Sequence, residues 1–195
     1  IVGISIKEFF QKNQIKYDCI DDINIDLSWA ADLTDRTFGL SFSAPWIFKK
    51  HVIESFGGRF VNNHGLRLPT NRGGGGITWT ILQKVRTGCS LFHLVSEKID
   101  EGAIVMFEEF SYPNACVIPE DFFEIDTREN GELAVEFVER LMAEKSFSII
   151  GQLPHFSTSW PRLSTDLHGW VDWSWSNDDL KRFVDGFDYP YPGAS

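Results

Sequence analysis

The sequence is poor in cysteine. Cys19, Cys89 and Cys116 are its three, an odd number at wide spacing, which fits neither a paired-cysteine zinc site nor a disulfide framework. They read as buried free thiols of a reducing cytoplasm. The chain also lacks an excess of positive charge. Its formal net charge of -10 argues against the clustered Lys and Arg on which unspecific attraction to nucleic acid or an anionic membrane rests. No apolar run approaches the roughly eighteen residues of a membrane span, and no basic, apolar and small-residue leader opens the chain, although it begins at Ile1 rather than Met. These absences point to a cytoplasmic protein with a small or locally recognised substrate. With 195 residues, 43% of them hydrophobic, there is enough apolar surface for one well-buried domain with a short appendage, and too little for two large ones.

Periodicity gives the order of elements. Ser5 to Ile15 has apolar residues at helical spacing behind a Ser cap, and Tyr17 to Ile20 reads as a short strand. Phe38 to Ser43 is a candidate strand, Pro45 can open a helix over Trp46 to Phe56, and Arg59 to Asn62 is the next strand. His64 to Gly76 is too rich in Gly and Pro to be regular. Ile77 to Val85 is helical, Gly88 to Val95 and Ile104 to Phe110 are strands, and Glu132 to Glu144 is the clearest amphipathic helix. The tail from Phe156 turns to Trp, Ser, Pro and Asp, with one helix over Asn177 to Phe187 behind an Asn cap. The expected fold is α/β, a Rossmann-like, mostly parallel sheet flanked by helices. Residues 1–155 form its catalytic domain, and 156–195 a Trp-rich extension packed on that domain.

In such sheets ligands sit where strands end at their carboxyl edge. The loop after Asn62 is therefore the first place to look. Asn62 and His64 are two apart, so on an extended chain they project to one side. Alone, the pair equally describes a turn Asn and a surface His. Asp100, in the segment Ser96 to Gly102, equally describes a solvated turn. The run Gly73 to Gly76 has no Lys-Ser/Thr after it and is no P-loop, though its N–H groups suit an anion. His93 reads as a core histidine. His51, His155 and His168 have no evident partners, and no metal is indicated. The acidic Glu120, Asp121 and Glu124 read as a solvated face, and Trp160, Trp170, Trp173 and Trp175 as packing under the tail.

Taken together these segments resemble the formyltransferase family that uses 10-formyltetrahydrofolate, in the branch acting on nucleotide-linked amino sugars. VNNHGLRLPTNRGGGG (Val61 to Gly76) is similar to the family's Asn-x-His loop, TGCSLFHLVSEKIDEGAIV (Thr87 to Val105) to its strand and Asp-x-Gly turn, and GLSFSAPWIF (Gly39 to Phe48) to the strand and helix start that line its folate pocket. The resemblance implies catalytic Asn62, His64 and Asp100, with Phe42, Ser43, Ala44 and Trp46 beside the folate. Arg72, Gly74, Gly75 and Trp79 fall to the acceptor. It also implies a fold whose first strand-helix-strand unit would precede Ile1.

The residue types suit that chemistry. Attack of an amine on a formyl carbon makes an oxyanion, which the Asn62 amide can stabilise. His64 can carry the proton between the two nitrogens, and Asp100 can orient and charge the imidazole. The Gly run, Trp79 and the HGWVDWSWS tail look more like the branch that formylates nucleotide-linked amino sugars, a resemblance that implies an acceptor destined for a surface polysaccharide such as an O-antigen. Glycinamide ribonucleotide formyltransferase, formyltetrahydrofolate hydrolase and a catalytically silent folate- or sugar-binding homologue stand as alternatives.

Overall fold

A computed structural model describes residues 5–74 and 76–195; Ile1 and Gly75 lie outside the described residues. The elements in chain order are α1 (Ile6–Lys12), β1 (Gly39–Ser41), α2 (Lys50–Ser55), β2 (Phe60–His64), β3 (Arg72–Gly73), α3 (Gly76–Leu82), β4 (Thr87–Leu94), β5 (Ile104–Ser111), α4 (Pro119–Met142), β6 (Ser159–Trp160), α5 (Thr165–His168) and α6 (Asn177–Gly186).

A central sheet with the order β1-β2-β4-β5 carries the fold, and β3 pairs with β6 in a separate two-stranded ribbon. The α/β class with a helix-flanked sheet is as expected, but the balance of strand directions is not. β1 and β2 run parallel, whereas β2 with β4 and β4 with β5 are antiparallel. Connection length accounts for two of these pairings: α2 carries the chain back across for the parallel pair β1 and β2, whereas the short turn after Leu94 folds β5 back on β4. The connection from β2 to β4, which contains α3, is long enough for either direction, so its length does not decide that antiparallel pairing.

Local boundaries moved for similar reasons. Ser5 caps α1 through a reciprocal pair with Glu8, but Tyr17 to Ile20 finds no neighbouring strand among the described residues and stays irregular. α2 begins only at Lys50, because the indole of Trp46 is tied to the Asp21 carbonyl at 3.1 Å. α4 begins well before Glu132: Pro119 opens it, and the Asp121 carboxylate accepts from the Val117 and Ile118 N–H groups at 2.7 and 3.0 Å. Asp121 is therefore a cap rather than a solvated charge. α6 is capped by Ser176, not Asn177. Of the three thiols, Cys89 and Cys116 are buried as expected, while Cys19 is exposed because its segment packs under nothing.

The core lies where α4 covers the sheet. Phe137 on α4 stacks on Phe92 of β4 at 4.5 Å, with Val61 and Leu133 beside them, all buried. Polar pins fix the same helix. Tyr112 O–H donates to Asp126 at 2.5 Å and Ser90 O–H to the Asn130 side chain at 2.6 Å. Burial pushes the Asp126 carboxyl up to about 6 despite the Tyr112 hydrogen bond. Ile77 and Ile81 of α3 pack with Phe122 of α4, α6 packs on α3, and β6 lies alongside β3.

Phe137→Ala should lower unfolding stability by about 3–5 kcal/mol in urea denaturation, whereas Met142→Ala, at a position 82% exposed, should stay within about 0.5 kcal/mol. Asp126 titrates near about 3.9 in an unfolded chain, so the native state holds its proton more tightly. Its contribution favours folding below that pH and is lost as pH rises through about 6. Asp126→Asn should therefore flatten the slope of unfolding free energy against pH across that window.

Candidate active site

Strand register builds the site. Ser41 of β1 pairs with Asn62 of β2, and Asn62 pairs with His93 of β4, so three polar side chains form one row across the sheet. Directly paired residues point to the same face, which explains their contact. Ser41 O–H donates to Asn62 Oδ1 at 2.8 Å, and Asn62 Nδ2 lies 3.3 Å from His93 Nε2. The serine thereby fixes the Asn62 amide with its NH2 group toward His93. Two residues along β2, His64 projects to the same side, as the alternation of a strand requires.

Asp100 reaches this row from the turn between β4 and β5. Its Oδ2 lies 3.9 Å from His64 Nδ1 and its Oδ1 3.5 Å from His93 Nε2, while Gly73 N–H donates to Oδ2 at 3.0 Å. The register irregularity between Phe92 and His93 lies at this end of the hairpin, where such a break re-aims side chains. Gly102 must be glycine, because a Cβ there would collide with the Leu94 carbonyl. Gly73, at φ 94, has the Trp160 carbonyl where a Cβ would stand.

Partners assign the imidazole hydrogens. His64 Nε2 lies 2.8 Å from the Asn71 carbonyl and His93 Nδ1 2.9 Å from that of Leu94. A carbonyl only accepts, so each of these nitrogens carries a hydrogen. His64 Nδ1 is then the nitrogen that takes up a proton, facing Asp100. His93 Nε2 accepts from Asn62 when neutral and donates to Asp100 when protonated.

Burial pulls the His64 pKa below its ordinary value, and the Asp100 charge and the Asn71 carbonyl only partly oppose it. For Asp100 burial disfavours the charge, but the His93 hydrogen bond, the His64 charge and Gly73 N–H outweigh it and hold the carboxyl below the usual range. A neutral base beside a firmly ionised carboxylate is the result.

The other expected site residues fall into two groups. Phe42, Ser43, Ala44 and Trp46 follow β1 directly, next to Ser41. Phe42 is 49% exposed and edge-on to Phe92, and Ser43 has φ 49. Trp79 lies 4.9 Å from Trp160 and donates to the Pro161 carbonyl at 3.0 Å, and Gly74 faces Arg162. Arg72 is buried: its guanidinium pairs with Glu101 at 3.0 Å and Gln152 at 2.8 Å, and its Nε has no hydrogen-bond partner among the described residues. Gly75 lies outside the described residues. His51 sits away from the row, against the Asn24 carbonyl at 3.0 Å. His93, by contrast, reads as core from its apolar neighbours, and nothing in the sequence announces its register with Asn62.

No protein-family model matches the chain. A curated GDP-perosamine N-formyltransferase of Brucella melitensis is 26% identical over 183 residues, covering 88% of this chain and 68% of the relative. The chain is similar in sequence to this sugar N-formyltransferase. The same fold occurs in a sugar 3N-formyl transferase solved in the presence of dTDP and 5-N-formyl-THF, at TM-score 0.72 and 19% identity over 94% of this chain. It recurs in an N-formyltransferase from Helicobacter canadensis solved with folinic acid and dTDP-3-aminofucose, at TM-score 0.75 and 18% identity over 94% of this chain. The chain spans 62% and 64% of the lengths of those two proteins.

Replacing Asp100 by Asn removes the charge that favours the His64 imidazolium and leaves burial opposed only by the Asn71 carbonyl. The His64 titration midpoint, followed by NMR of the ring protons, should move to lower pH, and a midpoint at or above the wild-type position would contradict this electrostatic account.

Proposed function

We propose that the chain transfers a formyl group from 10-formyltetrahydrofolate to the amine of a nucleotide-linked amino sugar, with Asn62, His64 and Asp100 as its catalytic residues. The observation that carries the reading is the Asp100 carboxylate facing His64 Nδ1 at the end of β2, with Asn62 two residues before it on the same face. The relatives support both substrates: a GDP-perosamine enzyme by sequence, and neighbours solved with formylated folates and with dTDP or a dTDP-sugar by fold. Residues 1–155 form the catalytic unit in this reading, and 156–195 an extension that closes over the acceptor side.

The donor supplies an activated formyl carbon. The amine lone pair of the acceptor attacks that carbon, the C=O π pair moves to oxygen, and the second N–H of the Asn62 amide, the first being directed at His93, stabilises the oxyanion. His64 Nδ1 accepts the proton released by the amine and returns it to the departing folate nitrogen as the old C–N bond breaks. Asp100 stabilises the imidazolium between those steps.

The segment Phe42 to Trp46 suits the folate. It offers an exposed aromatic ring and irregular backbone directly after Ser41, whose hydroxyl holds the Asn62 amide. On the acceptor side, Gly74 lies in the loop before α3 and Trp79 on α3 itself, while buried Arg72 supports that loop; Gly75 is assigned to the acceptor by its place in the sequence alone. A cytoplasmic enzyme of surface-polysaccharide synthesis fits these substrates.

Incubation with 10-formyltetrahydrofolate and a panel of nucleotide amino sugars, read by mass spectrometry for a gain of one formyl group, tests this. His64→Ala should lower kcat/KM about a hundredfold to ten-thousandfold and Asn62→Ala about a hundredfold to a thousandfold, with circular dichroism unchanged. Formate release without any acceptor, or formyl transfer indifferent to His64, would sink the assignment.

A further inference from the structure

The turn that carries Asp100 is gripped by a side chain from outside the hairpin. Gln152 lies just beyond the bridge that pairs Ile150 with Ile104. Its Nε2 donates to the carbonyls of both Asp100, at 2.8 Å, and Gly102, at 2.7 Å, while its Oε1 accepts from Arg72 at 2.8 Å. A primary amide has two N–H donors, and both go to the carbonyls that flank Glu101. The Arg72 contact fixes which way the amide faces. Arg72 itself is 7% exposed and pairs with Glu101 of the same turn.

Asp100 has φ 53, a left-handed conformation that Asp adopts more readily than most residues with a Cβ but at some cost, so contacts around the turn help to hold it. The two residues of β3 thus act on one aspartate: Gly73 through a hydrogen bond to the carboxylate, and Arg72 through Gln152 on its backbone.

We infer that Gln152, locked by Arg72, is a positioning residue whose double hydrogen bond to the turn aims the Asp100 carboxylate at His64 and His93. Gln152 touches no reacting atom and acts through Asp100. Only the kinetic part of its role rests on the proposed formyl transfer. The titratable groups facing His64 are Asp100 from the turn and His93 from β4, with Glu101 and Arg72 forming the charged pair behind the turn.

The test uses the whole 195-residue chain and the neutral variants Gln152→Met, which keeps length and removes the hydrogen bonds, and Gln152→Asn, which keeps the amide one methylene short. His64 is titrated by NMR, and exchange of the Gly73 amide hydrogen reports its bond to Asp100. Both variants should move the His64 midpoint to lower pH, as Asp100→Asn does, and speed Gly73 exchange about tenfold or more. In an Asp100→Asn background the Gln152 change should add no further shift in midpoint. In turnover, kcat should fall about tenfold to a hundredfold with little change in either KM.

A folded Gln152 variant with a wild-type His64 midpoint and wild-type Gly73 exchange overturns the positioning role, whatever its kcat. Should Gln152→Met fail to fold, Gln152→Asn carries the same comparison. A chain that transfers no formyl group yet shows the shifted midpoint sinks the enzymatic reading and leaves the role of Gln152 standing.

Discussion

The Asp100 carboxylate is a largely desolvated charge, and the rest of the site is arranged around keeping it ionised. Burial alone would favour its protonated form. His93 opposes that from β4, His64 from β2 and the Gly73 N–H from β3, so three strands each contribute one partner. A carboxylate held in this way favours a positive charge on His64 without sharing its proton. The cost of burying His64 and the pull of Asp100 act in opposite directions on one imidazole, a balance suited to a group that both takes and gives a proton.

That arrangement depends on backbone geometry as much as on side chains. Antiparallel pairing of β2 with β4 puts Asn62 opposite His93, and parallel pairing of β1 with β2 puts Ser41 opposite Asn62. A slip of one residue in either pairing would turn the row to the other face. The core fixes this register: Val61 and Phe92, the neighbours of Asn62 and His93, face the opposite way into the cluster with Leu133 and Phe137 of α4. Packing on one face of the sheet thereby sets chemistry on the other.

The Trp-rich tail has divided roles. Trp160 joins the tail to the loop after β2 and Trp79 joins α3 to the tail, each with its indole N–H on a backbone carbonyl, and β6 gives β3 its only strand partner among the described residues. Because β3 supplies both Gly73 and Arg72, the tail reaches the site indirectly. Trp170 and Trp173 remain 67% and 82% exposed and do not share in that packing.

By itself the sequence determined most of the element order, from apolar periodicity, and brought Asn62, His64 and Asp100 forward because its Asn-x-His loop and Asp-x-Gly turn resemble the motifs of a known family. Both are local properties, carried by a few neighbouring residues. Only the tertiary structure decided that the sheet is largely antiparallel, that His93 belongs to the site rather than to the core alone, and that Arg72 and Gln152 lie behind Asp100. Those facts depend on strand register and on contacts between segments as distant as Asp100 and Gln152. A buried histidine in an apolar strand looks the same in sequence whether a carboxylate or a methyl group faces it, because its partner is chosen by the fold.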